Sequence, residues 1–92
     1  LCFWIYDTTA NNDGKADNSV GVKLFDAAGV SEEFWTDHEA VGKNPKTVQN
    51  EWTQMCLDLN AFSNVDLRKI DKVQFALYWA GNYYVDDITL EP

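Results

Sequence analysis

The chain has 92 residues, of which 15 are Asp or Glu and 7 are Lys or Arg, for a formal net charge of −8. This length fits one domain over residues 1–92, and no run approaches the roughly 18–20 apolar residues of a membrane span. Scattered cations do not form the basic surface that nucleic acid requires, so we expect a soluble protein that binds neither membrane nor nucleic acid. The aromatic content, 14% with 4 Trp, 4 Tyr and 5 Phe, exceeds what so small a core needs.

Period-two alternation bounded by Asn, Asp and Gly clusters runs through most of the chain, which is typical of strands and turns. It predicts strands at residues 1–7, 19–26, 51–59, 70–79 and 82–90, a short strand or extended loop at 34–36, and a short helical turn at 61–69. Turns are predicted at residues 12–14, 27–29 and 80–82, and the last of these is expected to join strands 70–79 and 82–90 as a hairpin. No segment sustains a 3.6-residue period. The sequence therefore predicts an all-β fold, an antiparallel β-sandwich.

The two phases of the predicted strands differ in composition. One phase is aliphatic or Phe, as a sandwich core requires: Phe3, Ile5, Val22, Leu24, Met55, Leu57, Val73, Phe75 and Leu77. The other phase mixes flat aromatics with amides and a lysine: Cys2, Trp4, Tyr6, Lys23, Phe25, Trp52, Gln54, Gln74, Ala76 and Tyr78. A sheet face that only needed to be soluble would carry Thr, Lys and Glu instead.

Aromatic rings beside amide and cationic donors suit a sugar. A ring covers the C–H face of a pyranose, while Gln54, Gln74 and Lys23 are placed to bond its hydroxyls. The alternative is that Trp4 and Trp52 pack under a loop or against another domain, because a large aromatic is more often packing than platform. Both interpretations stay open at this point.

Catalysis finds little support in the sequence. The single histidine, His38, lies in a loop-like context with no nucleophile at recognisable spacing, so we expect a surface position for it. Asp86 and Asp87 are adjacent on a predicted strand, which should direct them to opposite faces and is poor geometry for a glycosidase pair. They are better candidates for calcium ligands at a strand end.

The two cysteines, Cys2 and Cys56, are compatible with one disulfide or with two buried thiols. They are too few and too far apart to indicate zinc. A disulfide between them would close most of the first half of the chain and contribute about 4 kcal/mol on the loop-entropy relation.

Five segments resemble the C-terminal part of the β-jelly-roll carbohydrate-binding modules attached to bacterial polysaccharide hydrolases. They are residues 3–7, 22–26, 52–59, 66–70 and 83–88, the last with the sequence YYVDDI. The resemblance implies two antiparallel sheets with a glycan bound across an aromatic face, lined here by Trp4, Tyr6, Trp52, Gln54, Gln74 and Tyr78. It also implies a structural calcium away from that face, held in part by Asp87 or, as a second choice, Asp86.

The sequence departs from this family at its N-terminus. The modules begin with further strands, whereas this sequence starts inside one at Leu1, and a jelly roll has eight strands against about six predicted here. We therefore expect an incomplete sandwich, completed by an N-terminal segment or by other copies. The implied function is extracellular, non-catalytic binding of a β-glucan, xylan or mannan, as an accessory module. The alternatives are a structural jelly-roll subunit that self-associates by strand exchange and a hydrolase fragment.

Overall fold

A computed structural model describes residues 1–8, 18–77 and 82–90. The described residues form six strands: β1 (Cys2–Asp7), β2 (Val20–Asp26), β3 (Ser31–Trp35), β4 (Trp52–Cys56), β5 (Ile70–Leu77) and β6 (Tyr83–Thr89). Three 3-10 helices of one turn each lie at Glu39–Val41, Leu59–Ala61 and Leu67–Lys69. The prediction of an all-β fold is confirmed. The predicted turns at 12–14 and 80–82 fall mostly or wholly outside the described residues.

Several element boundaries differ from prediction; β4, for example, ends at Cys56 and not at residue 59. β3 begins at Ser31, whereas the sequence predicted a strand only at 34–36, because Glu32 and Glu33 interrupt the apolar alternation. Pairing with β2 extends the strand nonetheless, with Phe25 opposite Ser31 and Gly21 opposite Trp35. The predicted helical turn at 61–69 is instead two separate 3-10 helices. Asp58 and Asp66 begin them, each accepting a hydrogen bond from the backbone N–H two residues later.

The strands form two antiparallel sheets of three strands each. Sheet A has the order β4-β1-β6, and sheet B has the order β3-β2-β5. The predicted hairpin of the last two strands is therefore wrong, because β5 pairs with β2 in one sheet and β6 pairs with β1 in the other. Apolar side chains of both sheets meet in one core, in which the Phe3 ring of β1 and the Phe75 ring of β5 lie 5.0 Å apart, edge to face. The strand alternation therefore gives each sheet one face on this core and one face directed away from it.

Most of the predicted core phase is confirmed. Phe3, Ile5, Val22, Leu24 and Met55 are fully buried, and Leu57 is nearly so. The edge strands differ, since Val73 and Phe75 of β5 are only partly buried. Leu77 is 38% exposed, so its assignment to the core is wrong. It lies at the end of an edge strand, where no further described strand covers it.

A buried polar network holds the end of β1. The Asp7 carboxylate is fully buried and accepts hydrogen bonds from Asn18 Nδ2 and Thr47 Oγ1, both at 2.8 Å. The Asp7 carbonyl accepts from the backbone N–H of Asn50 at 2.8 Å. Buried carboxylates are stable only with such partners. Asp7 thereby ties β1 to the segment that leads into β4.

A second carboxylate organises the β2–β3 hairpin. Asp26 Oδ1 accepts from the backbone N–H groups of Ala28 and Val30, and its Oδ2 accepts from that of Asp66, all at 3.0 Å. The Asp66 N–H is the main reason that the pKa of Asp26 lies below its usual value, and those of Val30 and Ala28 add to it against the opposing effect of burial. Asp26 therefore joins the hairpin to the chain before β5.

Cys2 and Cys56 form a disulfide, so of the two alternatives left by the sequence the disulfide is confirmed and the paired buried thiols are wrong. The two residues are direct cross-strand partners in β1 and β4, with Cα atoms 4.1 Å apart. Asn44 brackets Cys56 from the far side, accepting from its N–H at 2.8 Å and donating to its carbonyl at 2.9 Å.

None of the helices in the described residues has the length and apolar character that crossing a membrane requires.

Candidate functional site

The outward side of sheet A carries an unusual set of side chains. Because Phe3, Ile5 and Met55 point into the core, their strand neighbours point outward. We call this surface the aromatic face; it consists of Trp4 and Tyr6 of β1, Trp52 and Gln54 of β4, and Tyr84 and Asp86 of β6. Four of these six residues were predicted to line a sugar-binding face; Tyr84 was not among them, and Asp86 was predicted as a calcium ligand.

Three rings form a row across the sheet. Tyr6 stands opposite Trp52 on one side and Tyr84 on the other, with ring centroids 5.4 and 6.2 Å from its own. Trp52 is 48% exposed and Tyr84 is 55% exposed, so the outer rings of the row are open to solvent. A row of adjoining rings offers an extended apolar surface rather than a single contact point.

The next row carries one ring between two polar groups. Trp4, which is 37% exposed, stands opposite Gln54 of β4 and Asp86 of β6. Both polar side chains are exposed. An amide supplies donors and an acceptor, and a carboxylate supplies acceptors, so this row can bond hydroxyl or amine groups of a ligand stacked on the rings.

A pocket of about 290 Å³ opens beside Trp4 and Trp52 and is also lined by Asp86 and Asp87. Asp87 adopts a left-handed conformation, φ 52°, at a point where β6 has one extra residue relative to β1. Such a bulge interrupts the alternation of side chains. Asp86 and Asp87 both line this pocket, at the point where the bulge interrupts the regular strand.

The two carboxylates of this pocket differ in their surroundings. Asp86 Oδ1 accepts from the Asp87 backbone N–H at 2.8 Å. No described residue donates a hydrogen bond to the Asp87 carboxylate, and no described cation forms an ion pair with either aspartate. Both are exposed.

The calcium site expected at Asp86 and Asp87 stays a prediction. Calcium takes 6–8 oxygen ligands, and nowhere in the described ranges do three or more His, Cys, Asp or Glu side chains gather. The two aspartates also lie beside the aromatic face, whereas the family resemblance implies a metal away from it.

Lys23 and Gln74, which were predicted to line the sugar face with the tryptophans, lie on sheet B. They face each other across β2 and β5 on the outward side, since Val22, Leu24 and Phe75 occupy the inward side. The core separates them from the aromatic face. Tyr78 lies outside the described residues.

The outward side of sheet B has its own aromatic residues, and neighbours cover them. The Phe25 ring has Lys72 Nζ 4.3 Å and Lys23 Nζ 5.2 Å from its centroid. Trp35 stands opposite Gly21, and a Cβ on Gly21 would lie 3.4 Å from two atoms of the indole. The glycine thus lets the indole lie against β2, and no sequence signal short of the β2–β3 register identifies this contact.

A second pocket, of about 300 Å³, lies at the end of sheet B and is lined by Asp26, Ala27, Ala28, Asp66 and Lys69. Its acids already have structural roles. The Asp26 oxygens accept three backbone bonds, and Asp66 Oδ1 accepts from Arg68 N at 3.0 Å and Arg68 Nε at 3.3 Å. The Arg68 backbone N–H is the first cause of the lowered pKa of Asp66. Because its acidic side chains already bond to the protein, we do not propose this pocket as a binding site.

His38 is exposed and begins the 3-10 helix Glu39–Val41, with its Nδ1 accepting from the Ala40 N–H at 3.0 Å. Its ring lies 5.4 Å from that of Phe34. These contacts give it a structural part at the surface, as expected.

Comparison of the chain with protein-family models, with curated proteins and with solved structures found no match.

Proposed function

We propose that the protein is a non-catalytic polysaccharide-binding module that holds a β-glucan, xylan or mannan chain on the aromatic face. The observation that carries the proposal is the uncovered row of Trp52, Tyr6 and Tyr84 with Trp4, Gln54 and Asp86 beside it. Rings accept the C–H faces of pyranoses, and the flanking amide and carboxylate bond their hydroxyls.

The exposure of this face favours binding over packing. Large aromatics that serve only the fold are normally covered, as Phe3, Phe34 and Phe62 are here through edge-to-face contacts. Trp52 and Tyr84 make ring contacts with Tyr6 but leave about half of their surface open. A cluster of exposed aromatics rimmed by polar groups is typical of a binding surface.

The proposal includes a jelly-roll type of sandwich and an extracellular location. Two antiparallel sheets around one core are compatible with such a fold. The cross-strand disulfide supports an oxidising compartment, in which such bonds form and persist.

Titration with soluble polysaccharides tests the proposal, with tryptophan fluorescence as the readout. Binding should quench or blue-shift the emission. Trp52→Ala should weaken the affinity for the polysaccharide roughly thirtyfold, about 2 kcal/mol, as truncation of a central aromatic contact does. Because Trp52 is 48% exposed, this change should leave folding nearly intact. If no polysaccharide perturbs the tryptophans, the proposal fails.

A matched pair of amide variants locates the site. Gln54 and Gln74 are both exposed strand residues, but Gln54 lies on the aromatic face and Gln74 on sheet B. Gln54→Ala should weaken glycan binding several-fold, and Gln74→Ala should not change it. Equal effects of the two variants would contradict binding at the aromatic face.

The edges of the sandwich favour a second candidate, a self-associating structural subunit. Leu77 of β5 and Ile88 of β6 are 38% and 48% exposed, and Leu90 beyond β6 is 40% exposed. Edge strands with exposed apolar side chains invite pairing with another chain. Light scattering at micromolar concentration tests this function, which predicts a dimer or larger species, and a monomer contradicts it.

A further inference from the structure

We infer that the pocket beside Trp4 and Trp52 binds a positively charged amino-sugar unit, so that the aromatic face prefers glycans with free amines over neutral ones. This inference rests on the proposed function and names the class of glycan. It starts from the combination of two exposed indoles and two carboxylates around one cavity.

The lining of the pocket is complementary to a cation. Of the described residues that line it, two are aspartates, two are tryptophans and none is positively charged. An indole face carries negative electrostatic potential and attracts an ammonium group within about 6 Å of its centroid. The carboxylates add charge-assisted hydrogen bonds to the same group. A neutral glycan would make only the ring contacts and the hydrogen bonds from its hydroxyl groups to the side-chain oxygens.

The bulge in β6 creates this combination. Without the extra residue, Asp87 would follow the alternation and leave Asp86 alone beside Trp4. The bulge instead places both Asp86 and the left-handed Asp87 along the pocket, and no described residue donates a hydrogen bond to the Asp87 carboxylate. A carboxylate without a fixed partner is available to a ligand.

The adjoining rings indicate a sugar rather than a small free amine. The pocket volume of about 290 Å³ is just below the range of typical small-molecule sites, about 300–1,000 Å³, so the pocket has room for about one sugar unit. Trp52 lines the pocket and also begins the row with Tyr6 and Tyr84. A ligand charged at one unit and apolar along the next would use both parts. The contrasting surface is sheet B, where Lys23 and Lys72 already cover the Phe25 ring.

The test compares three β-1,4-linked tetramers at matched concentration: glucosamine, N-acetylglucosamine and glucose. We expect the glucosamine tetramer to bind about tenfold more tightly than the other two, from one cation–aromatic contact and two exposed charge pairs. Added salt should reduce that preference. Asp86→Asn with Asp87→Asn should abolish it, and Asn tolerates the left-handed backbone at position 87.

The control variant Asp37→Asn with Asp71→Asn removes the same charge from exposed positions on or next to the strands of sheet B, and it should keep the preference. The inference is overturned if the three tetramers bind equally. It is also overturned if the preference survives in the Asp86 and Asp87 variant or in Trp52→Ala, because the preference would then come from attraction to the net charge of −8. It is also overturned if choline alone binds as tightly as the glucosamine tetramer. Equal binding of all three tetramers would leave the proposed function standing, whereas failure of every glycan to bind would remove both.

Discussion

The outward faces of both sheets carry aromatic residues, but the two faces differ in how far the rings are exposed to solvent. On sheet A the rings of Trp4, Trp52 and Tyr84 are open to solvent. On sheet B the ring of Phe25 lies beneath two lysine ammonium groups, and Trp35 lies against the backbone of Gly21. The comparison shows that aromatic composition does not identify a binding surface. What distinguishes the faces is whether the protein itself already supplies the partner of each ring.

Charge separates the faces as well. The rings of sheet A have Asp86 and Asp87 beside them, whereas those of sheet B have Lys23 and Lys72. A cation over a ring is attracted by the negative potential of the ring face, whereas a carboxylate beside the ring does not compensate that potential. On sheet B the protein's own lysines already contact the aromatic ring, whereas on sheet A the ring faces are free to contact a ligand.

The largest expected effect concerns the disulfide on the outward side of sheet A. Replacing both cysteines, Cys2→Ala with Cys56→Ala, should lower the free energy of unfolding by about 4 kcal/mol, because the bond closes a long loop of the unfolded chain. Urea unfolding monitored by circular dichroism measures this loss. Since the bond joins β1 to β4, we expect the surroundings of Trp52 in the variant to unfold at a lower urea concentration than those of Trp35. Unchanged stability would show that the strand pairing alone holds the aromatic face.

An intermediate effect is expected from adding a side chain where the Trp35 ring approaches the backbone of β2. In Gly21→Ala the new Cβ would lie 3.0 Å from Ala76 Cβ and 3.4 Å from the Trp35 indole. Neither the β5 backbone nor the packed indole yields readily, so we expect a loss of about 1–3 kcal/mol in stability. Thermal unfolding measures it, and Gly29→Ala, in an open turn at φ 86°, separates crowding from backbone strain.

Glycan binding by the Gly21→Ala protein should equal that of the native protein at temperatures where both are folded. A loss of binding without unfolding would mean that the two faces are coupled through the core, and the contrast between them would no longer hold.

The smallest effect is confined to acid pH and to the sheet B side. The pKa of Asp26 is lowered in the folded protein from its ordinary value of 3.8, so its ionised form stabilises the fold above that pH. This contribution is lost as the pH falls below 3.8 and through the lower folded value. Asp26→Asn should therefore flatten the acid limb of the stability profile, measured by urea unfolding at a series of pH values.

Asp71→Asn, at an exposed position of β5, should keep the native acid limb. If the Asp26 and Asp71 variants have the same profile, the three backbone bonds to Asp26 do not account for the acid sensitivity.

The sequence allowed good prediction of which side chains enter the core and poor prediction of which strands are neighbours. Alternation alone placed Phe3, Ile5 and Met55 inward and Trp4 and Trp52 outward, because burial depends on the two-residue period. It could not show that Lys23 and Gln74 belong to the other sheet, since a period assigns a face to each strand without assigning the strand to a sheet. That assignment depends on pairings between residues far apart in the chain.

The site was incompletely predicted for a related reason. Tyr84 and Asp86 have the right phase, but only the register of β6 against β1 places them beside Tyr6 and Trp4. Asp87 requires more, because a one-residue bulge in β6 interrupts the alternation at this position. Such a bulge is decided by how two strands fit together and leaves no mark in the sequence of either one.

The position of the disulfide also has a mechanical consequence. β4, which carries Trp52, has a described neighbour on one side only, so a force on a ligand held at Trp52 would peel this strand from β1 one hydrogen bond at a time. The covalent bond at Cys56 stops that peeling at the end of the ladder and passes the load to β1, which is paired on both sides. Under tension the rings would therefore stay attached to the central strand of the sheet, and the grip would fail by release of the ligand before the strand is pulled away.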